Sequence, residues 1–169
     1  MSEGPYELDQ DRRHLVLKAL REVSSFRGWT LLAAHVRTNH VHCVVLASNK
    51  PEKIMNDFKA YASRLLNESG LDEPGRKRWA RHGSTKYLWT LEQATAAVNY
   101  VLFQQGEAMA TYDGSVAQLN LPLHNSTRTN RRVVCRMSGP CDTNTAAPPR
   151  SRRTPAAAAR PAPLDPPTP

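Results

Sequence analysis

The stretch "WTLLAAHVRTNHVHCVVLA", residues 29–47, decides how the rest of the chain is read. Residues 29–36 and 40–47 are two apolar runs without proline or glycine, and the polar triplet "RTN", 37–39, separates them. Two strand-like runs joined by a short polar turn predict an antiparallel hairpin. The second run carries His40 and His42. Residues i and i+2 of a strand share a face, about 7 Å apart, so the two imidazoles project side by side. Neutral imidazole is a common ligand for divalent metals. The pair is therefore either half of a coordination sphere or two hydrogen-bonded histidines at a solvated strand end. The spacing alone leaves both open.

Upstream, "DQDRRHLVLKALREVSS", 9–25, sets Leu15, Val16, Ala19, Leu20 and Val23 at helical spacing, with Asp9 or Asp11 able to cap and Gly28 to stop it. Downstream, Pro51 opens a helix over 51–68 with Ile54, Phe58, Tyr61, Ala62 and Leu65 on one stripe. The loop "GLDEPGRKRWARHGS" follows, then a short strand at 85–90 and a helix through "LEQATAAVNYVLFQQGEAM". The order α-β-β-α-β-α, with a hairpin at its centre, predicts an α+β domain over 1–120.

Charge is unevenly spread. The 169 residues carry a net charge of +8; residues 125–169 hold eight arginines and two acids, and 1–124 hold 15 basic and 13 acidic residues. The basic character thus belongs mostly to the C-terminal part, and says little of what the folded part binds. Nine of 13 prolines lie beyond position 139. A Pro/Arg/Ala-rich segment without apolar period cannot offset its ordering entropy, so 121–169 is expected to be a disordered tail. The three cysteines, Cys43, Cys135 and Cys141, form no CxxC and no even framework, which fits a reducing cytoplasm. The polar start "MSEGPYELDQ" is no signal peptide, and no apolar run approaches the roughly 20 residues of a membrane span.

Two further features carry chemistry. At about 100° per residue, Leu91, Ala94, Val98, Val101, Leu102, Gln105 and Met109 form the core stripe of the last helix. Tyr100 and Gln104 fall opposite, one turn apart. This is either a surface pair or a phenol nucleophile beside an oxygen ligand. The segment "RKRWARHGSTKYLW", 76–89, gives Arg76, Lys77, Arg78, Arg81 and Lys86 with no acid, interleaved with Trp79, Tyr87 and Trp89. Cations that follow phosphates, with aromatics on which bases stack, suit single-stranded nucleic acid. A solvated basic loop with Trp89 in the core is the plainer alternative. His14, His35 and His124 suggest no specific role.

"NHVH" (Asn39 to His42) on a strand, followed on a helix by "YVLFQ" (Tyr100 to Gln104), resembles the single-tyrosine HUH transposases. "HVRTNHVHCVV", "RWARHGSTKYLW" and "YVLFQQG" are most similar to the REP-associated tyrosine transposase branch, over roughly residues 5–112. The resemblance implies a ferredoxin-like antiparallel sheet. It implies a divalent ion, Mg²⁺ or Mn²⁺, held by His40, His42 and Gln104. Tyr100 would attack a DNA phosphate, form a 5′-phosphotyrosine bond and release a 3′-OH. The substrate would be single-stranded or hairpin DNA and the protein a homodimer. Arg76, Lys77, Arg78, Trp79, Arg81 and Lys86 are the candidate DNA contacts. The family's sheet starts with a strand ahead of the first helix, and only "MSEGPYEL" precedes it here. The domain is therefore expected to be N-terminally truncated, with an unpaired sheet edge. Three other readings remain: a replication-initiation or relaxase-type HUH endonuclease, a DNA-binding remnant without catalysis, and a small metal hydrolase.

Overall fold

The computed structural model describes residues 6–73, 75–114 and 131–138. Helix α1 spans Gln10–Arg27, strand β1 Thr30–Val36, β2 His40–Ala47, helix α2 Pro51–Glu68, β3 Ser84–Leu88, helix α3 Leu91–Phe103, β4 Ala110–Asp113 and β5 Arg131–Ser138. Local chemistry sets the helix ends. The Asp9 carboxylate accepts the Arg12 amide at the start of α1, and Gly28, in the left-handed region at φ +66°, closes it. Pro51 occupies the first turn of α2. The Thr90 side chain accepts the Gln93 amide at the start of α3.

The five strands form one antiparallel sheet in the order β3-β5-β2-β1-β4. The α+β class and the central hairpin are as the sequence predicts. Strand alternation then sorts the side chains. On one face Val36, Val41, Cys43, Val45, Val133 and Cys135 meet Val16, Leu20, Val23, Ile54, Phe58 and Leu66 of α1 and α2 in the larger core. On the other, Ala33 and Val44 meet Ala94, Val98, Val101 and Leu102 of α3. In β1, Leu31 pairs with Val45 and Ala33 with Val44, so one extra residue is accommodated there. Beyond that bulge His35 lies directly opposite His42, on the face that α3 covers.

Three expectations need correction. First, part of the segment read as a disordered tail, 131–138, is β5, and it sits inside the sheet between β2 and β3. All eight residues of β2 have a register partner in β5. The side of β2 away from β1 is therefore occupied by β5. Val133, Cys135 and Met137 are fully buried; this period-2 pattern was masked by the arginines between and before them. The rest of 121–169, Cys141 and His124 included, lies outside the described residues. Second, α3 ends at Phe103 rather than running on to Met109. Gly106 takes φ +83°, a conformation that ends helical progression, and the chain turns into β4. Gln105 and Met109 thus belong to a turn and not to a helical stripe, and Leu91 is exposed. Third, β4 was not anticipated, being only four residues, "ATYD".

The turn after α3 is fixed by a residue to which the sequence gave no role. His35 is fully buried in β1. Its Nδ1–H donates to the Val101 carbonyl at 3.1 Å, and its Nε2 accepts the Met109 amide at 3.2 Å. The two bonds require the neutral ring, with the proton on Nδ1, and burial lowers the ring's proton affinity in the same direction. His35 thereby ties the C-terminal end of α3 and the entry to β4 to the middle of the sheet.

Two outcomes follow from this packing. Val133→Lys places an unpaired ammonium in the larger core and is expected to lower stability by about 3 kcal/mol or more. Arg132→Gln on the opposite face is expected to stay within about 0.5 kcal/mol. Urea unfolding distinguishes them, and equal effects would contradict the burial of β5. His35→Phe leaves the Val101 carbonyl and the Met109 amide without partners, at about 1–3 kcal/mol each. Hydrogen exchange at the Met109 amide should accelerate in step with the loss of stability, and unchanged protection there would exclude the clasp.

Candidate functional site

The histidine pair lies where the β1–β2 turn delivers it, at the start of β2. The His40 and His42 ring centroids are 4.9 Å apart. The rings thus lie closer than the backbone repeat alone sets them. The Asn39 side-chain oxygen lies 2.6 Å from His40 Nδ1. In the neutral ring this bond puts the proton on Nδ1 and the lone pair on Nε2. His42 is 8% exposed, and its Nε2 is buried without a hydrogen-bond partner among the described residues. Burial first, then the positive charges of His40, Arg136 and Arg37, push its pKa down to about 4. At neutral pH His42 is an uncharged imidazole with an unsatisfied ring nitrogen.

Tyr100 completes the cluster from the opposite layer. Helix α3 buries Ala94, Val98, Val101 and Leu102 against the sheet. Tyr100 stays 47% exposed, with its ring centroid 6.0 Å from that of His42. The carbonyl held by His35 belongs to Val101, the next residue. The clasp therefore fixes the helix at the point where the phenol departs. Phe103, one turn on, is strongly exposed beside it.

Gln104 is placed differently from the sequence reading. It is the C-cap of α3, at φ −113°, one residue beyond the helix, and its side chain is exposed. Its amide still bonds the Tyr100 carbonyl at 3.1 Å, so the one-turn separation survives. Gln105 is half-buried, and its Nε2 lacks a partner; an N–H donor of this kind is no cation ligand. Among the described residues there is no group of three or more His, Cys, Asp or Glu able to hold a metal. The residues that do converge suit a divalent ion in one respect, the orphaned nitrogen of a neutral His42 next to an oriented His40.

The basic segment divides into two populations. Arg78 is 5% exposed and its Nε donates to Asp72 at 2.6 Å. Asp72 also accepts from Arg12 Nε at 2.8 Å and from the Tyr6 hydroxyl at 2.7 Å. Burial works against the Asp72 charge, but the bonds from Arg78, Arg12 and Tyr6 outweigh it and hold the carboxyl below its usual range. Tyr6, buried and facing this carboxylate, is pushed up to about 12. Trp79 is half-buried against the larger core, its Nε1–H donating to Ser63 Oγ at 2.9 Å. Lys59 donates to the Ala80 carbonyl at 2.9 Å and anchors the same loop. Arg78 and Trp79 thus act as struts. Lys77, Arg81 and Lys86 are exposed, and the Arg76 guanidinium lies 5.5 Å above the Tyr6 ring. Trp89 is 68% exposed and stacks with Tyr87 at 5.3 Å, so it does not enter the core.

Sequence reasoning missed one charged neighbour of the histidines. Arg136 of β5 is exposed, and its register partner across the ladder is His42. The signal was there in the alternation of Val133, Cys135 and Met137, which puts Arg136 on the opposite face. Within the larger core, Cys43 faces Cys135, and its thiol donates to the Cys135 carbonyl at 3.8 Å. Both are free and buried, and the neighbouring Cys135 thiol, followed by burial, pushes the Cys43 pKa well up.

No curated protein and no solved structure matches the chain. Among the described residues no helix is long and apolar enough to cross a membrane. The family model for transposases of the IS200-like type matches residues 7–101. That span runs from the residues ahead of α1 to Val101 and takes in His40, His42 and Tyr100. On that match, the chain belongs to the IS200-like transposase family.

Proposed function

We propose that this transposase cleaves and rejoins single-stranded or hairpin DNA with Tyr100 as nucleophile, in the manner of the REP-associated tyrosine transposases. The observation that carries the reading is the meeting of the Tyr100, His42 and His40 rings within a single chain, at centroid distances of 6.0 and 4.9 Å. The phenol comes from the helix layer and the imidazoles from the sheet, so the cluster depends on the whole fold. The tyrosine here faces the histidines of its own chain, which favours cleavage in cis within a homodimer.

His40 and His42 would hold a Mg²⁺ or Mn²⁺ ion, with Gln104 the candidate third ligand. Such an ion would supply Lewis-acid polarisation of a phosphate oxygen. The chain's own groups account for the rest. The Tyr100 hydroxyl oxygen attacks phosphorus and gives up its proton to solvent. The bond from phosphorus to the 3′-oxygen breaks, and that oxygen leaves as a 3′-OH after taking a proton. The 5′ side stays on Tyr100 as a phosphodiester. Because the bond energy is kept, another 3′-OH can attack the tyrosyl phosphate, free the phenol and join two strands. Arg76, Lys77, Arg81 and Lys86, with the exposed Trp89, offer charge and a stacking surface for the strand. Free buried thiols at Cys43 and Cys135 suit a reducing cytoplasm.

Tyr100→Phe is expected to abolish the covalent protein–DNA adduct in Mn²⁺ while single-strand binding stays within about twofold of wild type, since only a hydroxyl is lost. Persistence of the adduct in this variant, seen on a denaturing gel, would remove Tyr100 from the role. The His40→Ala/His42→Ala double variant is expected to lose at least about 100-fold in metal-dependent cleavage, an effect of the size of about 2.7 kcal/mol in the barrier. Undiminished cleavage at saturating metal would sink the ligand assignment.

A further inference from the structure

We propose that Arg136, from strand β5, grips a backbone phosphate of the bound strand beside the histidine pair, with Lys86 continuing the contact along the sheet. This rests on the reading of the α3-covered face as the DNA-processing site.

The registers on both sides of β5 carry the inference. Arg136 is paired with His42 on β2 and with Ser84 on β3. Directly opposed residues of antiparallel strands project from the same face, with Cβ atoms about 4.5–5.5 Å apart. Arg136 therefore stands next to His42, on the face where Tyr100 approaches. Lys86 pairs with Val134, one step along from Ser84 and Arg136. It lies diagonally from Arg136 on that face, at about 7–8 Å. Both cations are exposed. Val134 and Val44, in the same row as Lys86, pack against α3, while Arg136 and Lys86 themselves stay exposed beside that layer.

Their chemistry discriminates between possible uses. A guanidinium does not itself ligate a cation. It is a good neighbour for an anion that an ion at His40 and His42 would share. The guanidinium fork matches two phosphate oxygens, whereas an ammonium offers a point charge only. No acidic side chain pairs with Arg136 among the salt bridges of the described residues.

The test uses the full chain and a hairpin-bearing single-stranded oligonucleotide. Binding is measured across a salt series without divalent metal, and adduct formation is measured in Mn²⁺. Arg136→Gln is expected to weaken binding about tenfold at low salt and to flatten the salt slope by about 0.7, the contribution of one phosphate contact on a single strand. Arg136→Lys is expected to keep the slope and to form adduct more slowly, because it retains charge and loses the fork. It decides the matter if the glutamine variant does not fold. Lys18→Gln, on exposed α1, controls for net charge. A wild-type slope for Arg136→Gln, an equal loss for Lys18→Gln, or wild-type binding and adduct rates for Arg136→Lys would each overturn the proposal. If the wild-type protein forms no adduct while Arg136→Gln loses the slope, the strand-transfer reading falls and the phosphate contact stands.

Discussion

The ladder between β2 and β5 is the constraint on which the remaining structure depends. It runs the full length of β2, and it decides two things at once. On one face it brings Val133, Cys135 and Met137 into the larger core beneath α1 and α2. On the other it puts Arg136 against His42. Because side chains alternate with a period of two, a slip of one residue would exchange these sets. Arg132 and Arg136 would enter the core, and Val133, Cys135 and Met137 would line the site. The burial of three apolar residues in β5 thus fixes the position of a charged one, and the energetics of the core dictate the electrostatics of the site.

The helix layer is held to the same standard from the other side. Helix α3 packs its apolar stripe over Ala33 and Val44, contacts that resist separation but tolerate small rotation and sliding. Hydrogen bonds do not. The His35 ring joins the Val101 carbonyl and the Met109 amide through two fixed directions. One residue before that carbonyl sits Tyr100. The separation between phenol and imidazole is thereby set by a buried clasp, and not by the exposed residues around it. The sheet supplies His42 from β2 and the clasp from β1, on directly paired positions.

How much of this was legible in the sequence depends on where each signal is local. The hairpin was legible because an apolar run, a polar turn and another apolar run are adjacent in the chain. The ends of α1 and α2 were legible because Asp9, Gly28 and Pro51 act on their immediate neighbours. His40, His42 and Tyr100 were legible as a set because residue type and spacing resemble a family, and the fold then brings them together. The end of α3 was missed because 3.6-residue periodicity extrapolates through Gln104 and Gln105 without cost, while the termination comes from Gly106 and the tertiary bond to Met109. β5 was missed for a different reason. Its pairing partners lie 84 to 98 residues upstream on β2 and 44 to 52 upstream on β3, and composition averaged over its proline-rich surroundings hides an eight-residue alternation. Arg78 and Trp79 show the converse error. A run of cations reads as one surface, but Asp72, outside the run, takes Arg78 into a buried network.

The neutral state of His42 links stability to function. Folding buries its Nε2 and supplies it no partner among the described residues, an unmade hydrogen bond of the kind that costs about 1–3 kcal/mol. A core histidine selected for stability alone would be paired, as His35 is on both nitrogens. The contrast lies between two directly opposed residues of adjacent strands, in nearly the same burial. Geometry at the level of the backbone therefore does not explain it; the difference is in what each ring faces. His35 faces the helix end and is consumed by it. His42 faces Tyr100, His40 and Arg136, none of which satisfies its nitrogen. A ligand that engages this nitrogen in the folded chain and not in the unfolded one must stabilise the fold by mass action. The cost held at His42 is recovered only when the site is occupied, which is how a binding site differs from a piece of core.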